Sequence, residues 1–271
     1  MEHLGIAESL SDFLNKTEGV HYHSREETRF FCRGQSSLNK RLRPKLGRYQ
    51  YNGPRVKAGS SHDLRQWPRY FTSMFDQFER EYIAHHPREL NRKIDRMTLA
   101  QHYGLATPLL DWTLNPLVAL YFACESKSGE PGVVFFFMPT AFPYISKDED
   151  LENSHDVQLL RPKLFDQRMV NQEAAFSYHR DPVVDFGERL GNRCSGIVIP
   201  PGIKVQILGQ LASVGFHKGF IYPGLGSACE RIDSHYRSAY TIEQDKEFYK
   251  KQPSMTFDEV IDDSRTPYLD A

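Results

Sequence analysis

A single α+β domain over about residues 20 to 240 is what this 271-residue sequence predicts, and three observations predict it. Hydrophobic residues make up 39% and aromatic residues 13% of the chain, enough to fill a sizeable core. Helical periodicity and short apolar runs of strand character follow one another with no internal repeat and no second core. One stretch, Leu99 to Glu125 (LAQHYGLATPLLDWTLNPLVALYFACE), packs a helix end, a strand and an all-apolar helix into immediate succession, and the remaining elements are arranged around it.

In chain order, residues 1 to about 27 predict a short amphipathic helix with Leu10, Phe13 and Leu14 on one side, followed by a linker containing His21 and His23. Thr28 to Arg33 (TRFFCR) reads as a β run interrupted by Gly34, and the tail RGQSSLNKRLRPKLGR as a polar, basic loop. Residues 50 to 66 are expected to form a loop. Phe71, Met74, Phe75, Phe78 and Tyr82 then fall at i, i+3, i+4, i+7 and i+11, an apolar stripe of core type, on a helix that Pro87 ends. A second helix, about Glu89 to Tyr103, turns Ile94, Met97 and Ala100 inward, and Gly104 can stop it as the residue after the C-cap.

Thr107 to Thr113 has the short apolar character of a strand. Asn115 is a good N-cap and Pro116 suits a first helical turn, so a helix from Pro116 to about Ala123 follows at once, apolar all round and hence centrally packed. Asp111, Trp112 and Thr113 thereby arrive at a strand-to-helix junction, a usual place for a site. Beyond it, Val133 to Met138 (VVFFFM) predicts a buried strand and residues 139 to 166 an irregular insertion. QRMVNQEAAFSYH predicts a strand or strand edge bearing Arg168, Gln172, Glu173 and Phe176, and Gly196 to Ile199 another strand. Lys204 to Val214 predicts a helix stopped by Gly215, with Ile207, Leu208, Leu211 and Val214 inward, before an acidic tail.

Composition excludes several classes of protein. No run approaches the roughly 18 apolar residues of a membrane helix, and the N-terminus lacks a basic start and long apolar core, so a cytoplasmic protein with no membrane partner is expected. Cys32, Cys124, Cys194 and Cys229 are scattered without a CxxC pair, which favours reduced thiols. His21/His23 and His85/His86 have no matching second pair at zinc spacing, so no metal site is expected. Net charge is −1, but Ser24 to Lys57 concentrates ten basic residues, among them Arg41, Arg43, Lys45 and Arg48, against Glu26 and Glu27. This segment is read either as a phosphate-holding face for nucleic acid or as a solvated loop surface, with equal weight.

Five blocks in order, FFCRGQ, LRPKLGR, AQHYGLATPLLDWTLNPLVALYFA, RMVNQEAAF and GIVIP…K…IL…L…GF…IYPGL, resemble the FRG-domain family, named for its Phe-Arg-Gly signature, over roughly residues 25 to 230. The resemblance implies an N-terminal helical extension over 1–24, an FRG-type domain over 25–235 and an acidic C-terminal extension over 236–271. Cys32 stands at the signature's Phe position and Pro108 at that of a usual arginine. Glu173-Ala174 stands where a glycine-containing loop usually follows Gln172.

The layout also resembles, more weakly, that of arginine-type mono-ADP-ribosyltransferases, which implies short strands in an ADP-ribosyltransferase-like split sheet packed with helices. That resemblance implies an NAD site in which Arg33 and Gly34 meet the phosphates, Thr113 orients the nicotinamide ribose, and Trp112 or Tyr103 stacks on the nicotinamide. His102 and Asp111 border it. Glu173 would bond the ribose 2′-OH, with Gln172 competing for that position. Each residue has a structural alternative: Trp112 as core, Asp111 as a turn cap or partner of Arg168, His102 as a hydrogen-bonded helix end. The implied function is NAD-dependent mono-ADP-ribosyl transfer to a macromolecule, RNA preferred and protein as the alternative, by an intracellular toxin or phage-defence effector with an antitoxin as partner. The competing functions are a non-catalytic nucleotide- or nucleic-acid-binding module and an NAD hydrolase.

Overall fold

The computed structural model describes residues 2–22, 30–48, 67–86, 89–126, 129–152 and 155–239. Residues Met1–Ile221 form one compact unit that holds the sheet; a second unit begins at Tyr222, and its described part, residues 222–239, includes the helix α9 (Leu225–Ala239). Among the described residues no helix is long and apolar enough to cross a membrane. The four cysteines are free thiols. Residues 50 to 66 and the acidic tail lie outside the described residues, as do Arg25, Arg29, Arg55 and Lys57.

Helix α4 (Pro116–Cys124) forms for the reasons its sequence gives. The Asn115 side chain accepts from the amides of Leu117 (3.0 Å) and Val118 (3.4 Å), and Pro116 occupies the first turn. The helix lies backbone-to-backbone on the sheet. A Cβ at Gly34 would overlap the carbonyl oxygen of Ala119, and one at Gly132 that of Ala123. Glycine at 34 is therefore required by close packing of a helix on a strand.

The α+β class is as expected. Strands β1 (Glu2–Ile6), β2 (Phe31–Gln35), β3 (Leu109–Thr113), β4 (Gly132–Phe137), β5 (Val157–Leu160), β6 (Ala174–His179) and β7 (Cys194–Ile199) form one mixed sheet in the order β1-β7-β4-β2-β3-β6-β5. Among the described strands only β1 with β7 pairs in parallel. Strand β2 meets β4 over five residue pairs but β3 at one, Cys32 opposite Thr113. The sheet thus consists of two half-sheets, β1-β7-β4-β2 and β3-β6-β5, which splay on either side of one pair.

Paired residues share a face, and alternation places Gly34, Leu109 and Asp111 on the face of Cys32 and Thr113. On that face α4, α1 (Leu10–Tyr22) and α7 (Lys204–Ser213) pack over the first half-sheet, with the ring of Phe13 6.2 Å from that of Phe136. Over the second half-sheet, α2 (Trp67–His85), α3 (Lys93–His102) and α5 (Gln167–Asn171) share a core with Leu109, Leu160 and Phe176. The opposite face buries Phe31, Leu110, Trp112, Phe135 and Phe137 with Phe186 of α6 (Phe186–Leu190).

Several elements differ from expectation. The N-terminus is not one helix: β1 pairs with β7, and α1 starts only at Leu10, after Ser9, whose Oγ accepts from the Asp12 amide. Phe13 and Thr17 are buried while Leu14 is exposed. Helix α3 begins at Lys93 rather than Glu89, because the Asp148 carboxylate caps the Lys93 and Ile94 amides from far along the chain. The segment 139–166, expected to be irregular, supplies strand β5. Arg168 stands on a helix, α5, capped by Asp166 and followed by β6. Val214, just past α7, is exposed rather than inward.

Candidate active site

Where the half-sheets part, a cleft of about 670 Å³ opens, within the size range of small-molecule sites. Strand β2 contributes Cys32, Arg33 and Gly34, strand β3 Leu110 to Thr113, and the end of α3 Gln101 to Gly104. Lys45 and Arg48 reach it from the basic loop, Phe122 from α4, and Arg168 and Gln172 from the α5–β6 connection.

Arg33 bridges the parted strands. Its Nη1 donates to the Asp111 carbonyl at 2.5 Å and lies 3.7 Å from Asp111 Oδ2, while its buried Nε has no hydrogen-bond partner. Burial pushes the guanidinium pKa down and the Asp111 carboxylate opposes that shift; the group remains a cation with an unspent donor. Asp111 is held in turn by a relay. The Leu109 amide donates to Thr107 Oγ1 (3.1 Å), the Thr107 hydroxyl to Gln101 Oε1 (2.6 Å), and Gln101 Nε2 to Asp111 Oδ1 (3.0 Å).

The expected nucleic-acid face divides. Lys45 donates to the Gly104 carbonyl (2.6 Å), and Arg48 clasps the Arg43 carbonyl through Nε (2.9 Å) and Nη2 (2.7 Å), so these two stand in the cleft. Arg41 is exposed outside the lining, and Arg43, half-buried, is also outside it, its Nε buried without a hydrogen-bond partner.

The three residues expected to act on the ribose serve the scaffold. The Thr113 hydroxyl donates to the Gln172 carbonyl (2.6 Å) and accepts from the Asn115 amide (3.0 Å). Gln172 Nε2 donates to the Ile221 carbonyl (2.9 Å). Glu173 does not line the cleft: its Oε1 accepts from Asn115 Nδ2 (3.1 Å) and its carbonyl from the Leu114 amide (3.1 Å). Its backbone is left-handed, φ 43°, at a non-glycine residue, a conformation costing about 1 kcal/mol.

Trp112 is core, which corrects its expected stacking role. It is 4% exposed, meets the Phe137 ring edge-on at 4.6 Å, and its Nε1 donates to Ser177 Oγ at 2.8 Å. The Ser177 hydroxyl also shares a hydrogen bond with His179 Nε2, 2.8 Å away. Burial pushes the His179 pKa to about 3, with Arg189 and Arg33 adding to the shift, so the ring is neutral. Tyr103, 73% exposed beside His102, offers the aromatic face instead. His102 Nε2 lies 2.5 Å from Asp166; burial lowers its pKa, which Asp166 partly restores.

Gln101 and Thr107 carry the Asp111 relay, and neither was singled out as a site residue in the sequence. The one signal pointing to Gln101 is its place in the last turn of a helix ahead of the strand that bears Asp111. Comparison with curated proteins and with solved structures gives no match. Residues 28–131, which span Arg33, the basic loop, α3, β3 and α4 and so most of the cleft lining, match the family model of the FRG domain.

Proposed function

We propose that this chain is an NAD-dependent mono-ADP-ribosyltransferase acting on a macromolecule, with RNA as the preferred acceptor. The observation that carries the reading is the convergence of four cations, Arg33, Lys45, Arg48 and Arg168, with the exposed ring of Tyr103 and the carboxylate of Asp111 on one cleft. Paired phosphates call for fixed cationic donors, and guanidinium groups supply them in fork geometry. A nicotinamide or adenine ring calls for an aromatic face. Departure of nicotinamide leaves an oxocarbenium-like ribose, which a nearby anion stabilises. The exposed Arg41, beside this cationic set in sequence, supports a polyanionic acceptor. Consuming NAD or modifying RNA inside a cell arrests growth, which suits a toxin or defence effector held by an antitoxin.

A second reading, a binding module without catalysis, is favoured by the hydrogen bonds that occupy Thr113, Gln172 and Glu173 within the scaffold. Incubating the full chain with NAD and following nicotinamide release, then offering labelled NAD with RNA, DNA and cell protein, separates the readings. Release with label on RNA is the expected outcome. Binding without release supports the module, release without labelled macromolecule an NAD hydrolase, and neither binding nor release overturns the NAD reading.

A further inference from the structure

Transfer from NAD develops positive charge at the ribose, which a carboxylate stabilises, and the residue placed there by resemblance, Glu173, points its Oε1 to Asn115 and does not line the cleft. Asp111 does. Among the described residues that line the cleft it is the one that bears a carboxylate. It is also the exposed position of an otherwise buried strand, with its side chain 57% accessible between the buried Leu110 and Trp112. Its charge also offsets the burial of the neighbouring Arg33 guanidinium.

We infer that Asp111 is the catalytic carboxylate of the cleft, the group that faces the nicotinamide ribose; the inference rests on the NAD reading above. Its orientation is fixed without exhausting it. A carboxylate has about four acceptor sites. Gln101 Nε2 takes one at 3.0 Å, and Arg33, whose short bond goes to the backbone carbonyl of the same residue, approaches Oδ2 only to 3.7 Å. The remaining acceptor capacity is directed to solvent in the cleft. The Asp111 carboxylate and the Leu109 carbonyl can only accept, so both meet Gln101 Nε2, and Oε1 is left to accept from the Thr107 hydroxyl. Thr107 and Gln101 are positioning residues in this scheme.

In the transfer, the bond between ribose C1′ and nicotinamide N1 breaks and its electron pair leaves with N1, neutralising the pyridinium. Positive charge passes to C1′ and the ring oxygen. The acceptor's hydroxyl oxygen forms the new bond at C1′, and its proton goes to water. Asp111 accepts a hydrogen bond from a ribose hydroxyl and opposes charge that appears only as the C1′–N1 bond breaks. Its removal should therefore depress turnover and spare binding.

The test measures NAD affinity, nicotinamide release and thermal midpoint for the full chain and four variants. Asp111→Asn keeps the size and the Arg33 contact to the main chain, and should lose roughly a hundredfold or more in turnover with NAD affinity held within about threefold. Glu173→Gln should keep turnover within about fivefold of wild type. Thr107→Val should lower turnover with affinity held, and Thr107→Ser, which restores the hydroxyl, should recover it. Should Asp111→Asn not fold, Asp111→Glu keeps the charge but shifts it by one methylene, and a drop of about tenfold in turnover is expected. Wild-type turnover in Asp111→Asn, or in Asp111→Glu where that variant is the one measured, overturns the assignment, as does loss of turnover in Glu173→Gln, and the NAD reading survives either result. A wild type inert toward NAD is a different outcome and overturns both.

Discussion

The two half-sheets are held together by opposite means. In β1-β7-β4-β2 the buried side chains are almost all apolar (Val134, Phe135, Phe136, Phe137, Ile197, Ile199), and α4 approaches so closely that glycine is needed at 34 and 132. Strand β2, at the seam, is the exception, with Arg33 and the buried amide of Gln35. In β3-β6-β5 the core is threaded by Ser177, His179 and Gln158, which are fully buried and hydrogen bonded. Outside strand β2, apolar shape stabilises the first half, whereas the second depends on its buried donors meeting acceptors in one protonation state. Chemistry that moves with pH therefore belongs to the second half, and the cleft lies where the two kinds of core meet.

The largest effect should come from the first half. Gly34→Val drives a branched side chain into the Ala119 carbonyl, and because backbone rather than a rotatable side chain stands in the way, a loss of at least about 3 kcal/mol is expected, or no folded protein at all. Urea unfolding reads it; a loss under about 1 kcal/mol would mean that α4 can lift and that shape does not govern this half.

A smaller effect, specific to the second half, is acid sensitivity. The folded pKa of His179 is pushed to about 3, below its unfolded value, so the unfolded chain binds the proton first as pH falls. Stability should be unaffected by this group above about pH 6.5 and decline below it, by about 1.4 kcal/mol per pH unit, until the folded ring protonates. The lowered pKa of His102 acts in the same direction. Unfolding midpoints at pH 7 and pH 5 measure the decline, and His179→Asn should flatten it. An equal slope in wild type and variant would remove the distinction between the halves.

Smallest of all should be Glu173→Gly. Relief of a left-handed backbone, about 1 kcal/mol, opposes loss of the Asn115 hydrogen bond, about 1 kcal/mol, so stability should stay within about 1 kcal/mol of wild type. A loss above about 2 kcal/mol would show that the carboxylate itself ties β3–α4 to the α5–β6 turn.

What the sequence made legible was local. The cap and first turn of α4, the aromatic stripe of α2 and the apolar runs of β4 and β7 each state their structure within a few residues. Strands β1 and β5 do not, because both are short edge strands whose existence depends on partners far along the chain. Arg33 and the Asp111–Thr113 stretch were legible as neighbours of a site, but not their separate duties. Strand alternation sends Asp111 and Trp112 to opposite faces, and it is burial, not alternation, that leaves Asp111 open and Trp112 in the core. The return of Lys45 and Arg48 to the cleft had no signal in charge composition, which counts cations without locating them.

The dipeptide Arg33-Gly34 joins two demands at adjacent positions, and they differ in what would release them. Gly34 answers to the helix lying on it, and Arg33 fills a gap between strands by bonding the main chain of Asp111. A descendant of this protein that had lost every trace of activity would still suffer for changing either residue. The Arg33-Gly34 dipeptide is thus a record of how the chain folds, and degeneration of the function would first be written elsewhere, at exposed positions such as Tyr103.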